Sequence, residues 1–373
     1  MAGIYIHIPF CKQACLYCNF HFSTSLQHKN DLLHALLKEI NIRSNPSETI
    51  QTIYFGGGTP SLLNYDELSP IFSALYKNFN IAADAEITLE ANPDDISRPI
   101  LQNWKQSGIN RLSIGVQSFF ETDLAWMNRA HTAIHAKNCI VEAQGAGFDN
   151  LSIDLIYGTP TLPDENWKIN VDTATSLGVP HISCYALTVE PKTALDSLIK
   201  KKKMQDTDAE QQSRQFLQLI DWLKTAGYEH YEISNFSLPQ KRSRHNTSYW
   251  QNKPYYGFGP SSHSFNGSNI RSWNIANNAA YITALNKNML PVEEEILTGT
   301  QQFNEYIMTS IRTMEGIDLH YLLDRFGAQS ANTIIKKLQP YLHSKVIVND
   351  TNITLTSQGK LFADGIAADL FEE

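Results

Sequence analysis

Three cysteines fall within eight positions, Cys11-Lys-Gln-Ala-Cys15-Leu-Tyr-Cys18, with the spacing C-x3-C-x2-C. Thiolates are soft ligands that suit zinc and iron–sulfur clusters. Structural zinc ordinarily takes four protein ligands, and an ordinary 4Fe–4S cluster takes four cysteines. The chain has two further cysteines, Cys139 and Cys184. They fall inside a predicted helix and a predicted strand, where cysteine behaves as a small buried hydrophobe. A triplet without a fourth thiol leaves one iron of a 4Fe–4S cluster open. An open iron can take the amino and carboxylate groups of S-adenosylmethionine (SAM), and the reduced cluster then cleaves the sulfonium. A zinc knuckle is the alternative that the spacing alone leaves standing.

An amino-acid ligand carrying adenosine needs backbone donors, a carboxylate for its ammonium and polar groups for its ribose. Gly56-Gly57-Gly58-Thr59 lets backbone approach a ligand without interference from Cβ atoms. Glu90 and Asp154 are carboxylates at predicted strand ends, and Gln117 and Arg129 follow the fourth strand. Each has a plainer reading: a helix N-cap or surface residue for the carboxylates, a surface ion pair for Arg129. A second concentration of chemistry is Arg244-His245-Asn246-Thr247-Ser248-Tyr249-Trp250, followed by Tyr255, Tyr256, Phe258 and His263. An imidazole in an aromatic setting can be an axial ligand of haem iron. Tyr249 and Trp250 can stack on a flat macrocycle and hydrogen-bond a propionate. The alternative is that these aromatics close the bottom of the fold or pack a C-terminal unit. The basic run 200–203 adjoins Asp206, Asp208 and Glu210 and reads as a solvated connector.

A strand-then-helix series must position these groups. Predicted strands cover 4–8, 52–55, 86–90, 111–117, 151–157 and 181–188. Predicted helices cover 26–43, 65–79, 99–107, 133–146, 166–177 and 209–226. Such alternation argues for a parallel sheet with helical crossovers. Six units are too few for a closed eight-fold barrel. An open barrel and a flat doubly wound sheet both remain. Because the cysteines, 56–59, Glu90, Gln117 and Asp154 fall in or just after strands, they converge on one face only in the barrel. The predicted class is therefore α/β: an open partial (β/α)6 barrel over 1–233. Residues 234–275 are rich in Ser, Asn, Gly, Pro, His, Tyr and Trp without a helical period, and 234–300 reads as an irregular, aromatic-rich segment. Residues 301–373 read as a small winged-helix-like α+β unit, with helices near 303–325, 331–342 and 356–370 and a hairpin over 346–355.

Of the 373 residues, 42% are hydrophobic, enough for a sizeable core. The formal net charge of −8 argues against a nucleic-acid partner. No apolar run reaches the ~18 residues a membrane span needs. MAGIYIHIPF lacks a basic n-region and reads as a strand, so no signal peptide and a cytoplasmic location are expected. Five cysteines do not make a disulfide scaffold.

A C-x3-C-x2-C triplet on the first strand-loop, with aromatic Tyr17 before the third cysteine, resembles the radical-SAM signature. IYIHIPFC, FGGGTPS, ITLEANPDD, RLSIGVQSF and LSIDLIYGTP extend the resemblance across nearly the whole chain, to radical-SAM proteins related to oxygen-independent coproporphyrinogen III oxidase. It implies a 4Fe–4S cluster on Cys11, Cys15 and Cys18, with Tyr5 and Tyr17 near SAM. It also implies that Gly57, Gly58 and Thr59 line the methionyl end, and that Glu90, Gln117, Arg129 and Asp154 serve SAM or an adjoining pocket. Two features depart from the oxidases. Their N-terminal extension would here have to fit in four residues, and a further cysteine two places past the third is replaced by Phe20. With H-N-x-x-Y-W, Tyr231–Ser234 and Tyr185–Pro191, the chain is similar to the HemW-type haem chaperones. That similarity implies haem held by His245, with His263 second in line, and delivery to apo respiratory haem proteins. It further implies a monomer or homodimer that visits the membrane surface without spanning it. Decarboxylation of a porphyrinogen propionate, or another SAM-dependent radical reaction, is the competing implication.

Overall fold

Each early strand is divided lengthwise between two kinds of side chain, and the computed structural model, which describes residues 1–373, shows what the division does. Strands β1 (Ala2–Ile8), β2 (Asn45–Gly57), β3 (Phe79–Ala91), β4 (Arg111–Gln117), β5 (Leu151–Tyr157) and β6 (His181–Ala186) pair in parallel in chain order. Residues in register share a face of the sheet. One face carries the rows Ile4–Ile53–Ile87 and Ile6–Phe55–Leu89–Leu112–Leu151. The other carries Tyr5–Tyr54–Thr88–Arg111 and Glu90–Ser113–Ser152–His181. The apolar rows pack against Leu36, Ile71, Leu101, Trp104, Ile140, Val171 and Leu219 in one core. Those residues lie on the crossover helices Lys29–Ile42, Tyr65–Asn78, Arg98–Gln106, Ala133–Gly145, Asp164–Ser176 and Ala209–Thr225. A parallel strand covered by helices on both sides would be apolar throughout. Here the polar face turns inward instead, into the hollow of an open barrel.

The sheet continues past both edges of this barrel. Strands β7 (Glu229–Glu232) and β8 (Asn235–Ser237) add antiparallel beyond β6. Strand β9 (Tyr255–Phe258) adds parallel to β1. Strands β10 (His263–Phe265), β11 (Ile270–Asn274) and β12 (Val292–Ile296) follow antiparallel. The result is one open 12-stranded sheet running from β12 to β7. Segment 234–300, expected to be irregular, instead supplies strands β8 to β12 and the helices Arg244–Trp250 and Asn278–Asn286. Its strands are only 3 to 5 residues long, too short for a period of two to show.

A single buried carboxylate fastens this extension. Glu39, on Lys29–Ile42, is fully buried. It accepts hydrogen bonds from Gly259 N (2.9 Å), Asn274 Nδ2 (2.8 Å), the Tyr281 hydroxyl (2.5 Å) and Arg43 Nη1 (2.9 Å). Arg43 in turn donates to Gly257 O (2.6 Å) and Ser264 Oγ (2.9 Å). Buried charge is tolerable only when its hydrogen bonds are complete, as they are here.

The C-terminal unit matches its expected α+β composition. Strands β13 (Ile317–Asp318), β14 (Val346–Val348) and β15 (Asn352–Leu355) form a separate sheet in the order β13-β15-β14. Phe303, Ile307, Leu322, Ile334 and Ile366 build its own small core. The helices expected near 303–325 and 331–342 are Gly299–Ser310 and Leu319–Lys337. Between them Gly316 has φ 72°, and a Cβ there would meet Ile353 O at 2.1 Å, so the chain must turn. No helix is long and apolar enough to cross a membrane.

Replacing Glu39 with alanine strands Arg43 and three other donors. Urea unfolding of Glu39→Ala is expected to show a stability loss of about 3–5 kcal/mol. A loss under about 1 kcal/mol would mean that the network does not hold the extension.

Candidate cluster and cofactor site

The carboxyl ends of β1 to β5 open into a cavity of about 420 Å³. The loop after β1 contributes Cys11, Cys15, Tyr17 and Cys18; the end of β2 contributes Gly57, Gly58 and Thr59. Glu90, Gln117, Arg129 and Asp154 complete the wall. Every residue expected at the cluster and SAM site, except Tyr5, meets here.

Local sequence explains the convergence. Gly58 N donates to Ile8 O at 2.9 Å, bringing the end of β2 against the root of the cysteine loop. A Cβ on Gly58 would meet Phe10 O at 2.6 Å, and one on Gly57 (φ 108°) would meet the His7 ring at 2.5 Å. Only glycine fits both positions. At the end of β4 the register to β5 shifts and Gln117 takes φ 66°. A non-glycine residue in that region stores strain of order 1 kcal/mol or more, and such strain collects at functional sites.

All five cysteines are free thiols, and the three of the triplet are half-buried. No three ligand side chains surround one ion-sized point. The three thiols line one cavity wall, where a cluster whose irons each take a different thiolate could be held. Burial pushes the Cys18 thiol up to about 11, so a bound metal must supply the charge that deprotonates it. Arg129 Nη1 lies 3.2 Å from Cys15 Sγ, and its Nη2 donates to Asn92 Oδ1 (2.7 Å) and Gly115 O (2.9 Å). Its Nε is buried without a partner, a donor waiting for a ligand's acceptor.

Two carboxylates sit deeper. Burial lifts Glu90 to about 7, and the charge of Asp154 adds to the rise. The Tyr54 hydroxyl (2.7 Å) and Gly57 N (3.2 Å) donate to Glu90 and pull the other way. Burial likewise lifts Asp154 to about 6, against Ser183, Arg129 and Arg111. A cationic ligand would relieve both. Sequence reasoning missed Tyr54, Asn92 and Tyr185. Tyr54 and Tyr185 were legible as inward members of the strand alternation; Asn92 had no such signal.

Tyr5 faces a neighbouring cavity of about 690 Å³, and its hydroxyl donates to His7 Nδ1 at 3.2 Å. Tyr249 and His263 border the same space. Trp250 points away, into a pocket with Tyr306 and Tyr321. His245 is buried inside the barrel. Its Nδ1 bonds the Thr52 hydroxyl and its Nε2 the Tyr249 hydroxyl, both at 2.8 Å. Its ring stacks on Tyr54 at 5.0 Å, and its backbone N–H donates to Glu86 at 3.1 Å. Burial alone holds its pKa down to about 3. In this arrangement neither ring nitrogen is open to an iron. Ligation by His245 would require the helix Arg244–Trp250 to turn its histidine out.

The Radical SAM superfamily model matches residues 5–174. The chain is 31% identical to the haem chaperone HemW of Bacillus subtilis, over 98% of each chain. It is 32% identical to that of Mycobacterium tuberculosis, over 99% of this chain and 94% of the other. It is 36% identical to that of Escherichia coli, over 70% and 69%. Among solved structures, coproporphyrinogen III oxidase of Escherichia coli superposes with a TM-score of 0.86 at 23% identity, over 99% of this chain and 90% of that one. That likeness shows the fold.

Two measurements test the site. Iron and sulfide analysis of a Cys11/Cys15/Cys18 triple alanine variant is expected to find no cluster; a retained cluster would sink the assignment. Glu90 has a folded pKa of about 7 against an ordinary 4.5, so the folded state binds the extra proton between those values. Its contribution to stability is full below the lower value and lost as pH rises through the upper one. In cluster-free protein, Glu90→Gln should therefore gain about 3 kcal/mol over wild type between pH 5 and pH 8. An unchanged difference across that range would exclude a raised Glu90.

Proposed function

Because this chain belongs to the haem chaperone HemW family, within the radical SAM superfamily, we propose that it binds haem and delivers it to respiratory haem proteins. In this reading a 4Fe–4S cluster and SAM occupy the thiol-lined cavity. One observation carries the reading: that cavity adjoins a larger one, and Asn19 and Phe20 belong to the walls of both. A cofactor and a bulky cargo can thus be held side by side.

Cys11, Cys15 and Cys18 would hold the cluster, and three thiols would leave a coordination place for SAM. When bound and reduced, the cluster supplies the electron that cleaves a sulfonium. The chain's own groups do the rest. Gly57, Gly58 and Thr59 let the ligand lie against backbone. Glu90, held by Tyr54 and Gly57, and Asp154 face its positive charge. Gln117 and Arg129 Nε offer donors, and Tyr17 lines the cavity beside the three thiols. Tyr5 and Tyr249 form wall of the cargo cavity, while His245 braces Tyr249 from within the barrel.

The recipient is an apo respiratory haem protein, and the carrier works in the cytoplasm as a monomer or homodimer, where a reducing environment keeps the three thiols free. Contact with a membrane-bound recipient is peripheral. The net charge of −8 argues against a nucleic-acid partner.

The competing reading is decarboxylation of coproporphyrinogen. An optical haem titration of anaerobically reconstituted protein, paired with a product assay on coproporphyrinogen III, SAM and a low-potential reductant, separates them. We expect a saturable, near-stoichiometric Soret band and no decarboxylated product. Product without a Soret band would reverse the assignment.

A further inference from the structure

We propose that the 690 Å³ cavity is the seat of the haem and that His263, rather than His245, is its iron ligand. The inference rests on the haem-carrier reading and places its cargo. A slot of several hundred Å³ with aromatic walls and a few polar groups suits a flat macrocycle. Tyr249, Tyr255 and Phe265 supply such walls. Phe20 stands at the rim with 68% of its surface exposed, an apolar ring that no packing in the chain satisfies.

The imidazoles around this space differ in what they have free. His7 donates from Nε2 to His21 O (2.9 Å) and accepts at Nδ1 from Tyr5 (3.2 Å). His21 commits Nε2 to Asn278 Oδ1 at 2.8 Å. His245 has both nitrogens engaged. His263 alone is exposed with neither nitrogen in a hydrogen bond, its ring 6.0 Å from Trp273. Partial burial, and then the charge of Arg271, lower its pKa, so it presents the neutral ring whose lone pair binds iron.

The propionates find partners on the same wall. Arg271 gives one Nη2 contact to Glu305 at 2.5 Å and keeps other guanidinium donors for a carboxylate. Lys253 lies at the cavity edge, exposed and with no salt bridge. Two cations thus face a ligand bearing two carboxylates. An exposed ligand on an open slot also suits a carrier, because a recipient's imidazole can displace it without unfolding anything.

The test is an optical titration with ferric haem on full-length, cluster-reconstituted protein: wild type, His263→Ala, His245→Ala and Arg271→Ala/Lys253→Ala. Iron content confirms that each variant is folded. We expect His263→Ala to bind about tenfold or more weaker with a shifted Soret band. Free imidazole should restore the wild-type band position, which a merely structural loss would not allow. Free imidazole should not rescue any weakening in His245→Ala, which only loosens the Tyr249 wall, and the double variant should weaken haem while sparing haem dimethyl ester. A wild-type band that His263→Ala leaves unmoved, or a loss in His245→Ala that free imidazole restores, would overturn this placement and leave the carrier reading intact. No saturable band in wild type would remove both.

Discussion

A parallel sheet that is apolar on one side and polar on the other has to curl around something. The rows Ile6–Phe55–Leu89–Leu112 and Tyr5–Tyr54–Thr88–Arg111 run side by side through the same strands. The first is satisfied by helices. The second holds hydroxyls and a guanidinium, and the next row on its face adds the Glu90 carboxylate; none can be sealed against hydrocarbon without large desolvation costs. The polar row therefore lines a hollow, and the hollow is where the carboxylates reach their raised pKa values. Everything chemical in the molecule follows from that division.

Much of this was legible in the residues. The cysteine spacing and the polar groups at strand ends led to the thiol-lined cavity residue by residue, because strand ends in a βα series converge whatever the helices do. Gly57 and Gly58 were legible as places of close approach, though the object they approach is the chain's own loop as well as a ligand. The exposed histidine and the buried one were not separable. H-N-x-x-Y-W shows an imidazole among aromatics, but whether its nitrogens are free depends on Thr52, which is 193 residues away along the chain. The short strands β8 to β12 escaped for a related reason. Their existence depends on an edge offered by β1 and β6, not on any pattern of their own.

The buried contacts also tie the two cavities together. Tyr54 touches Glu90 through its hydroxyl and His245 through its ring. His245 reaches Tyr249, a wall of the larger cavity. One continuous set of packed and hydrogen-bonded groups thus runs from the carboxylate beside the thiols to the space for the cargo, with no water-filled gap needed between them.

Glu39 sets the alignment of that larger space from the far side of the sheet. The strands that bear His263 and Arg271 are not continuous with the barrel's chain order, and of the crossover helices it is Lys29–Ile42 that braces them. They hang from β1 by one parallel pairing and from Glu39 by hydrogen bonds at Gly259, Asn274 and Tyr281. The carboxylate therefore works like the set screw of an optical mount, fixing the angle of a wall it never touches. Variation there would be read as altered cargo affinity with an intact iron–sulfur centre, and the first helix would become a remote tuning point for exchange.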